Sequence, residues 1–145
     1  MNPMIRLLLA ITLLWGWLGP ATAGEEVEAS DMVRGGMLAI QMIDQGKAGE
    51  LWDGATPATR KRVTRAEFID QVASSRAPLG APRMRTWVAV NRQVVADPDH
   101  DTDGQYVSIE YETRFANRPD STLRELVSFH LDHDRMWRFS GYVLR

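Results

Sequence analysis

The residues best spaced for chemistry lie in one acidic segment of the chain. Asp99, Asp101 and Asp103 alternate with other residues, Gly104 follows them, and Glu110 comes after five further positions. This spacing satisfies the EF-hand calcium-loop pattern, in which alternate carboxylates supply hard oxygen ligands and glycine makes the sharp turn. No cofactor is predicted; the alternative is calcium, with Asp99, Asp101 and Asp103 as its candidate ligands.

The flanks of this acidic segment argue against a true EF-hand. An EF-hand loop joins two helices, whereas the residues on both sides have the composition of β-strands. In an extended strand, Glu110 would lie roughly 20 Å beyond the turn at about 3.3 Å per residue, too far to fold back as a ligand. Two alternatives stay open: a reduced calcium site that also uses Asp97, or a solvated hairpin tip in which Asp103 and Gly104 make a tight turn.

A second group of ligand-type side chains lies near the C-terminus. His130, Asp132, His133 and Asp134 resemble a transition-metal cluster. Strand alternation places His130 and His133 on opposite faces, however, and most of the group lies in a predicted turn. The simpler prediction is an ordinary polar surface turn with a titratable histidine. The chain has no cysteine, which excludes cysteine nucleophiles and thiolate-bound zinc, and no G-x-S-x-G segment supports a serine triad.

Two arginines, Arg76 and Arg85, flank a Pro-Leu-Gly turn between the last predicted helix and the first predicted strand. We expect one of them to pair with Asp44, Glu112 or Glu125, or to bond the carbonyl groups of that turn. A binding site would also need an inward carboxylate or tyrosine with perturbed ionisation. The candidate ligand-binding residues are Asp44, Arg76, Arg85, Tyr111, Glu112 and His130; no catalytic residue is predicted.

The first half of the chain supplies helices to position these side chains. Apolar residues recur at helical spacing between residues 31 and 45, and a second such helix follows the capping-box pattern Thr64-x-x-Glu67. Shorter helices are predicted at 47–54 and from Pro57. The Gly35-Gly36 pair weakens the first helix and predicts close packing of another backbone at that point.

The second half of the chain has the pattern of strands. Segments rich in β-branched and aromatic residues alternate with turn-forming clusters. Helices followed by four strands with short connections predict an α+β fold, with N-terminal helices packed on one face of a curved four-stranded antiparallel sheet. The predicted strands are 85–94, 105–115, 124–132 and 136–144, and the predicted turns are 97–104, 117–121 and 132–135.

The first 23 residues have the pattern of a secretory signal peptide. Arg6 precedes the apolar run Leu7–Leu18, a Gly-Pro breaker follows, and Ala21-Thr22-Ala23 has the form of a cleavage site. As a helix the run would rise about 18 Å, short of a hydrocarbon core of about 30 Å, so no stable membrane insertion is expected after cleavage. We predict a signal peptide at 1–23, a single α+β domain at 24–145, and a periplasmic or secreted location.

Composition limits the partners of this domain. The chain has 145 residues, 44% of them hydrophobic, and a formal net charge of −2. The length fits one domain, and the small negative charge argues against a nucleic-acid partner. Without disulfides, an exported domain must rely on its hydrophobic core. The expected partner is an unknown envelope protein or a small molecule.

Several short motifs occur along the chain in a fixed order. They are Leu51-Trp52, R-A-P-L-G at 76–80 with Arg85 following, D-G-Q-Y at 103–106, Y-E-T-R-F at 111–115, Glu125, and W-R-F-S-G-Y at 137–142. Together they resemble a bacterial family of exported domains, domain-of-unknown-function family 4019, over roughly residues 33–144. The resemblance implies a small cone-shaped α+β domain, similar to the nuclear-transport-factor-two-like or cystatin-like architecture, and it implies no catalytic residues.

The expected function is that of an exported domain of unknown function, acting as a non-catalytic binding or interaction module of the cell envelope. The alternative is a small-molecule-binding protein or enzyme with a pocket in the cone of the sheet, because such a fold can hold a pocket on its concave side. The aromatic residues available to line that side are Trp52, Trp87, Tyr111, Phe129, Trp137, Phe139 and Tyr142.

Overall fold

The computed structural model describes residues 28–97 and 101–145, which form helices followed by strands. The helices are α1 (Ala29–Asp44), α2 (Ala48–Asp53), α3 (Pro57–Arg62) and α4 (Arg65–Arg76), with a 3-10 turn at Ala77–Leu79. The strands are β1 (Pro82–Val95), β2 (Gly104–Phe115), β3 (Arg118–Leu131) and β4 (Trp137–Leu144). The predicted signal peptide at 1–23 and the candidate ligand Asp99 lie outside the described residues.

The four strands form one open antiparallel sheet in the order β1-β2-β3-β4. The helices pack with this sheet, so the predicted α+β fold is confirmed. β3 begins at Arg118, six residues earlier than predicted. The predicted turn at 117–121 is wrong because Phe115 already pairs with Arg118, so that only residues 116 and 117 form the turn. Asn117 links this turn to the 3-10 segment: its backbone N–H donates to the Leu79 carbonyl at 2.9 Å and its side chain to the Pro78 carbonyl at 3.1 Å.

The inward face of the sheet is filled by core side chains. On β2 the predicted alternation is confirmed, since Val107, Ile109 and Tyr111 are at most 1% exposed and the residues between them are only partly buried. The Phe68 ring of α4 meets the Phe139 ring of β4 edge to face at 5.8 Å. Of the aromatic residues expected to line a concave pocket, Tyr111 and Phe139 therefore belong to the core, whereas Trp87 on β1 is 51% exposed.

One glycine of the Gly35-Gly36 pair in α1 packs closely against the sheet. The Tyr111 hydroxyl donates to the Val33 carbonyl at 2.6 Å, and a Cβ atom at Gly36 would lie 2.5 Å from that hydroxyl oxygen. At Gly35 the nearest atom to an added Cβ is the Phe129 Cζ at 3.8 Å, an ordinary contact distance. Close packing is confirmed at Gly36, but its partner is a tyrosine side chain and not a backbone.

Local signals place the remaining helices. The predicted capping box of α4 is confirmed: Thr64 Oγ1 accepts from the Glu67 N–H at 3.2 Å, and the Glu67 carboxylate accepts from the Thr64 N–H at 2.8 Å. The connection before α3 runs parallel to β4, where Thr56 N–H donates to the Phe139 carbonyl at 2.9 Å. In the part of the chain that the structure describes, no helix has the length and apolarity needed to cross a membrane.

Candidate functional site

A cluster of charged and hydroxyl side chains joins the C-terminal ends of α1 and α4 to all four strands of the sheet. Asp44 is the last residue of α1 and Arg76 the last of α4, while Arg85 projects from β1. We call this group the buried cluster; its members are Asp44, Arg76, Arg85, Thr113, Glu125 and Tyr142.

Glu125 is the centre of the buried cluster. Its side chain is fully buried, and both carboxylate oxygens accept hydrogen bonds from the protein itself. Oε1 accepts from Arg85 Nε at 2.8 Å and from Thr113 Oγ1 at 2.5 Å. Oε2 accepts from the Tyr142 hydroxyl at 2.6 Å and, more weakly, from Arg76 Nη1 at 3.4 Å. Four donors therefore compensate the loss of hydration that burial of this carboxylate entails.

Asp44 holds the two arginines from the helix side. Arg85 Nη1 donates to Asp44 Oδ2 at 2.8 Å and Nη2 to Oδ1 at 3.2 Å, a two-pronged contact, and Arg76 Nη2 also donates to Oδ1. Burial alone would raise the pKa of Asp44, but the hydrogen bonds from Arg85 and Arg76 outweigh it and the pKa is lowered. Asp44 is therefore a stable anion that ties the end of α1 to β1.

The buried cluster is electrically balanced, with two carboxylates and two guanidinium groups. Burial alone would lower the pKa of Arg76 and of Arg85, but their acidic partners raise both values and keep the guanidinium groups charged. Burial and the Glu125 carboxylate raise the pKa of Tyr142, which keeps its hydroxyl protonated as a donor. Arg76 also stacks over the Phe115 ring, 5.0 Å from its centroid.

The structure brings together three of the six predicted ligand-binding residues. The pairing expected for one arginine is confirmed for both, and Asp44 and Glu125 are the acids. Glu112 lies elsewhere, where it accepts from Thr122 Oγ1 at 2.9 Å. Burial raises the pKa of Tyr111 to about 12, and its hydroxyl contacts α1 and not the cluster.

Thr113 and Tyr142 were missed as members of this cluster, and Glu125 was foreseen only as a pairing partner. One signal was available in the sequence. Glu125 has the same strand parity as Val127 and Phe129, so a carboxylate interrupts an apolar alternation on the inward face. Thr113 is on the buried face of β2 in the same way.

His130, the sixth candidate, belongs to a second polar group at the other end of the sheet. Its Nδ1 lies 2.6 Å from Asp132 Oδ1, and its Nε2 lies 2.7 Å from the Asp103 carbonyl oxygen. Thr56 Oγ1 donates to the same Asp132 oxygen at 2.6 Å, and Arg138 Nη1 donates to the other at 2.8 Å. Burial would raise the pKa of Asp132, but these hydrogen bonds lower it.

The prediction of an ordinary surface turn is wrong for His130, which is only 5% exposed. The Tyr106 ring packs against it with centroids 4.7 Å apart. Gly104 permits the close approach of backbone to imidazole, because its φ is +119° and a Cβ atom there would lie 3.0 Å from His130 Nε2. His130 thus links the residue before β2 to the turn after β3 through its contacts with the Asp103 carbonyl and the Asp132 carboxylate.

Among the described residues, no group of three or more His, Asp or Glu side chains could hold a metal ion. Asp101 pairs with Lys61 at 3.0 Å, and Asp134 pairs with Arg138 at 2.7 Å. Glu110 lies within β2 and pairs with Arg124 at 3.1 Å, as expected for an extended strand. With Asp99 outside the described residues, a reduced calcium site stays a prediction.

Two cavities lie beside these polar groups. One, of about 370 Å³, adjoins Thr56, Arg60 and Arg138, and its surface is about equally polar and apolar. The other, of about 540 Å³, lies between α1, α4 and the start of β1, and Asp44 and Arg76 are the charged groups in its wall. We call it the helix cavity; its apolar wall includes Ile43, Ala48, Ile69, Val72, Ala73 and Ala77.

These features define an α+β domain whose helices cover one face of an open four-stranded sheet and are joined to it by a balanced ion cluster. The chain belongs to the DUF4019 family, described as a protein of unknown function, whose match covers residues 36–142. That span contains every member of the buried cluster. None of the curated proteins matches this chain.

Proposed function

We propose that this protein is an exported, non-catalytic binding module of the cell envelope and that the helix cavity is its binding site. Export is supported by the N-terminal pattern of Arg6, the apolar run Leu7–Leu18 and the Ala21-Thr22-Ala23 ending. The binding role is supported by a difference between the helix cavity and the buried cluster beside it: the cavity offers apolar surface to a ligand, whereas the charged groups of the cluster already pair with one another.

The observation that carries the proposal is that the carboxylates beside the cavity are already occupied. A general base or nucleophile needs a lone pair within reach of its substrate. Both oxygens of Glu125 are held by four donors of the protein, and both oxygens of Asp44 face arginine side chains. The buried cluster therefore holds the helices and strands in position. The helix cavity can bind a ligand through its shape and its apolar wall.

The size and charge of the helix cavity suit a small, largely apolar ligand. A volume of about 540 Å³ falls within the range of about 300–1,000 Å³ that small-molecule sites usually have. Because Asp44 and Arg76 neutralise each other in its wall, a ligand without net charge leaves their pairing undisturbed, whereas a charged ligand must compete with it.

A neutral fluorophore tests the cavity directly. N-phenyl-1-naphthylamine is titrated into the purified protein, into Ala73→Phe, which fills the cavity from its α4 wall, and into Ala66→Phe on the exposed side of the same helix. We expect saturable fluorescence enhancement that weakens at least tenfold in Ala73→Phe and is retained in Ala66→Phe. Equal binding by all three proteins would show that the probe binds elsewhere and would refute the proposal.

Export is tested by expressing the full chain in a Gram-negative host and measuring its intact mass after fractionation. The proposal predicts a periplasmic or secreted product that begins at Gly24. Retention of the full-length chain in the cytoplasm would contradict it.

A further inference from the structure

The two edges of the sheet differ in how they are covered. At the β4 edge, Thr56 N–H donates to the Phe139 carbonyl at 2.9 Å and Thr59 Oγ1 donates to the Ser140 carbonyl at 2.8 Å. At the β1 edge, the backbone of residues 83–91 makes no hydrogen bond with any described residue except through its ladder with β2. A strand edge whose outward N–H and C=O groups are unpaired in this way can form hydrogen bonds with another strand.

The β1 edge also exposes large apolar side chains. Met84 is 52%, Trp87 51% and Val88 41% exposed. Val88 sits at a bulge, because the pairing passes from Trp87 opposite Tyr111 directly to Ala89 opposite Glu110. Bulges and arginines on an edge discourage unselective strand pairing, whereas large exposed apolar side chains on the same edge favour association with a partner.

The charge of β1 indicates what kind of strand could pair there. Its fourteen residues include Arg83, Arg85 and Arg92 and no acid, although the chain as a whole has a net charge of −2. Arg85 is neutralised in the buried cluster, whereas Arg83 is exposed and forms no ion pair with the described part of the chain. Pairing of β1 with a second copy of itself in a register that sets Arg83 opposite Arg83 would place like charges against each other, which is unfavourable.

We propose that the outer edge of β1 is a strand-addition surface for an extended acidic segment of a partner protein. Such a segment would supply backbone hydrogen bonds to residues 83–91, carboxylates to Arg83, and apolar contacts to Trp87 and Val88. The proposal does not rest on the helix cavity, whose wall includes only the first residue of β1, Pro82, and none of residues 83–91.

A synthetic acidic strand tests this surface. The probe is the acetylated and amidated peptide EVETEVETEV, added to the purified protein while backbone hydrogen exchange is followed. Two peptide controls accompany it: the same sequence with alternate backbone nitrogens methylated, and the basic counterpart KVKTKVKTKV. We expect the acidic peptide to slow exchange at residues 83–91 at least threefold, and both controls to leave that exchange unchanged.

Charge-reversal variants then distinguish binding of the peptide at β1 from non-specific electrostatic attraction between the peptide and the protein. Arg83→Glu should lower the affinity of the protein for the acidic peptide about threefold to tenfold, because the substitution places like charges opposite each other. Arg60→Glu on exposed α3 makes the same change of charge elsewhere and should leave affinity unchanged. Equal weakening by both variants, equal protection by the basic peptide, or no protection at millimolar peptide would overturn the proposal.

Discussion

Substitution of Gly36 by alanine probes the contact between α1 and the sheet. The added methyl group would lie 2.5 Å from the Tyr111 hydroxyl oxygen and 3.3 Å from both Ile109 Cβ and Tyr111 Cε2. Tyr111 is fully buried, so its ring can withdraw only by displacing other side chains of the core. The neighbouring Gly35 provides a matched control, because an added methyl group there meets only Phe129 at 3.8 Å.

The two substitutions should change stability in opposite directions. Alanine in place of glycine within a helix gains about 0.5–1 kcal/mol, and Gly35→Ala should show this gain. At Gly36 the same gain is opposed by about 1–3 kcal/mol of overpacking. Displacing the Tyr111 hydroxyl from the Val33 carbonyl adds about 1–3 kcal/mol for a buried polar group left unsatisfied. We therefore expect Gly36→Ala to lower the free energy of unfolding by about 1–5 kcal/mol.

Urea unfolding followed by circular dichroism measures both changes in the purified protein. A third comparison locates their cause: in a Tyr111→Phe background the hydroxyl oxygen is absent, so Gly36→Ala should cost less than it does in the wild type. If Gly36→Ala were as stable as the wild type, or stabilised it as Gly35→Ala does, the packing of Tyr111 against the helix backbone would be refuted.

Two further substitutions test the buried cluster. Glu125→Gln removes the central negative charge and leaves Asp44 as the only acid of the buried cluster that pairs with Arg76 and Arg85, so the free energy of unfolding should fall by about 3–5 kcal/mol in urea titrations; a change below 1 kcal/mol would contradict the role assigned to Glu125. The pKa of Asp44 is lowered from 3.8, so its contribution to stability is fully present above about pH 4 and is lost as the pH falls below that value. Asp44→Asn should therefore be less stable at neutral pH and lose less stability than the wild type between pH 4 and pH 2; parallel pH profiles for the two proteins would count against this pairing.

Local sequence patterns predict much of the fold because the structures that they indicate depend only on residues that are close together in the sequence. The capping box at Thr64 and Glu67 and the alternation along β2 are of this kind, and both are confirmed. The pairing of Arg76 and Arg85 with acids was also predictable, since guanidinium groups beside a short turn need acceptors.

The membership of the cluster was not predictable in the same way, because it depends on strand register. Phe139 and Tyr142 both face inward although they are three residues apart, because Ser140 is an extra residue in the ladder: Phe139 pairs with Phe129 and Gly141 with Ser128. Strict alternation would have placed Tyr142 on the outer face. His130 was misjudged for a related reason, since its burial depends on how the residues before Gly104 fold back over β3.

The position of the buried cluster along the chain has a consequence for how the domain assembles. Its first and last members, Asp44 and Tyr142, are far apart in sequence, and none of its charges is compensated by a near neighbour. An intermediate that lacks β4 or the end of α1 would leave a desolvated charge or hydroxyl without its partner, which is costly in a low-dielectric interior. The groups of the cluster are therefore all paired only in the fully folded domain, which favours all-or-none folding over partly assembled forms.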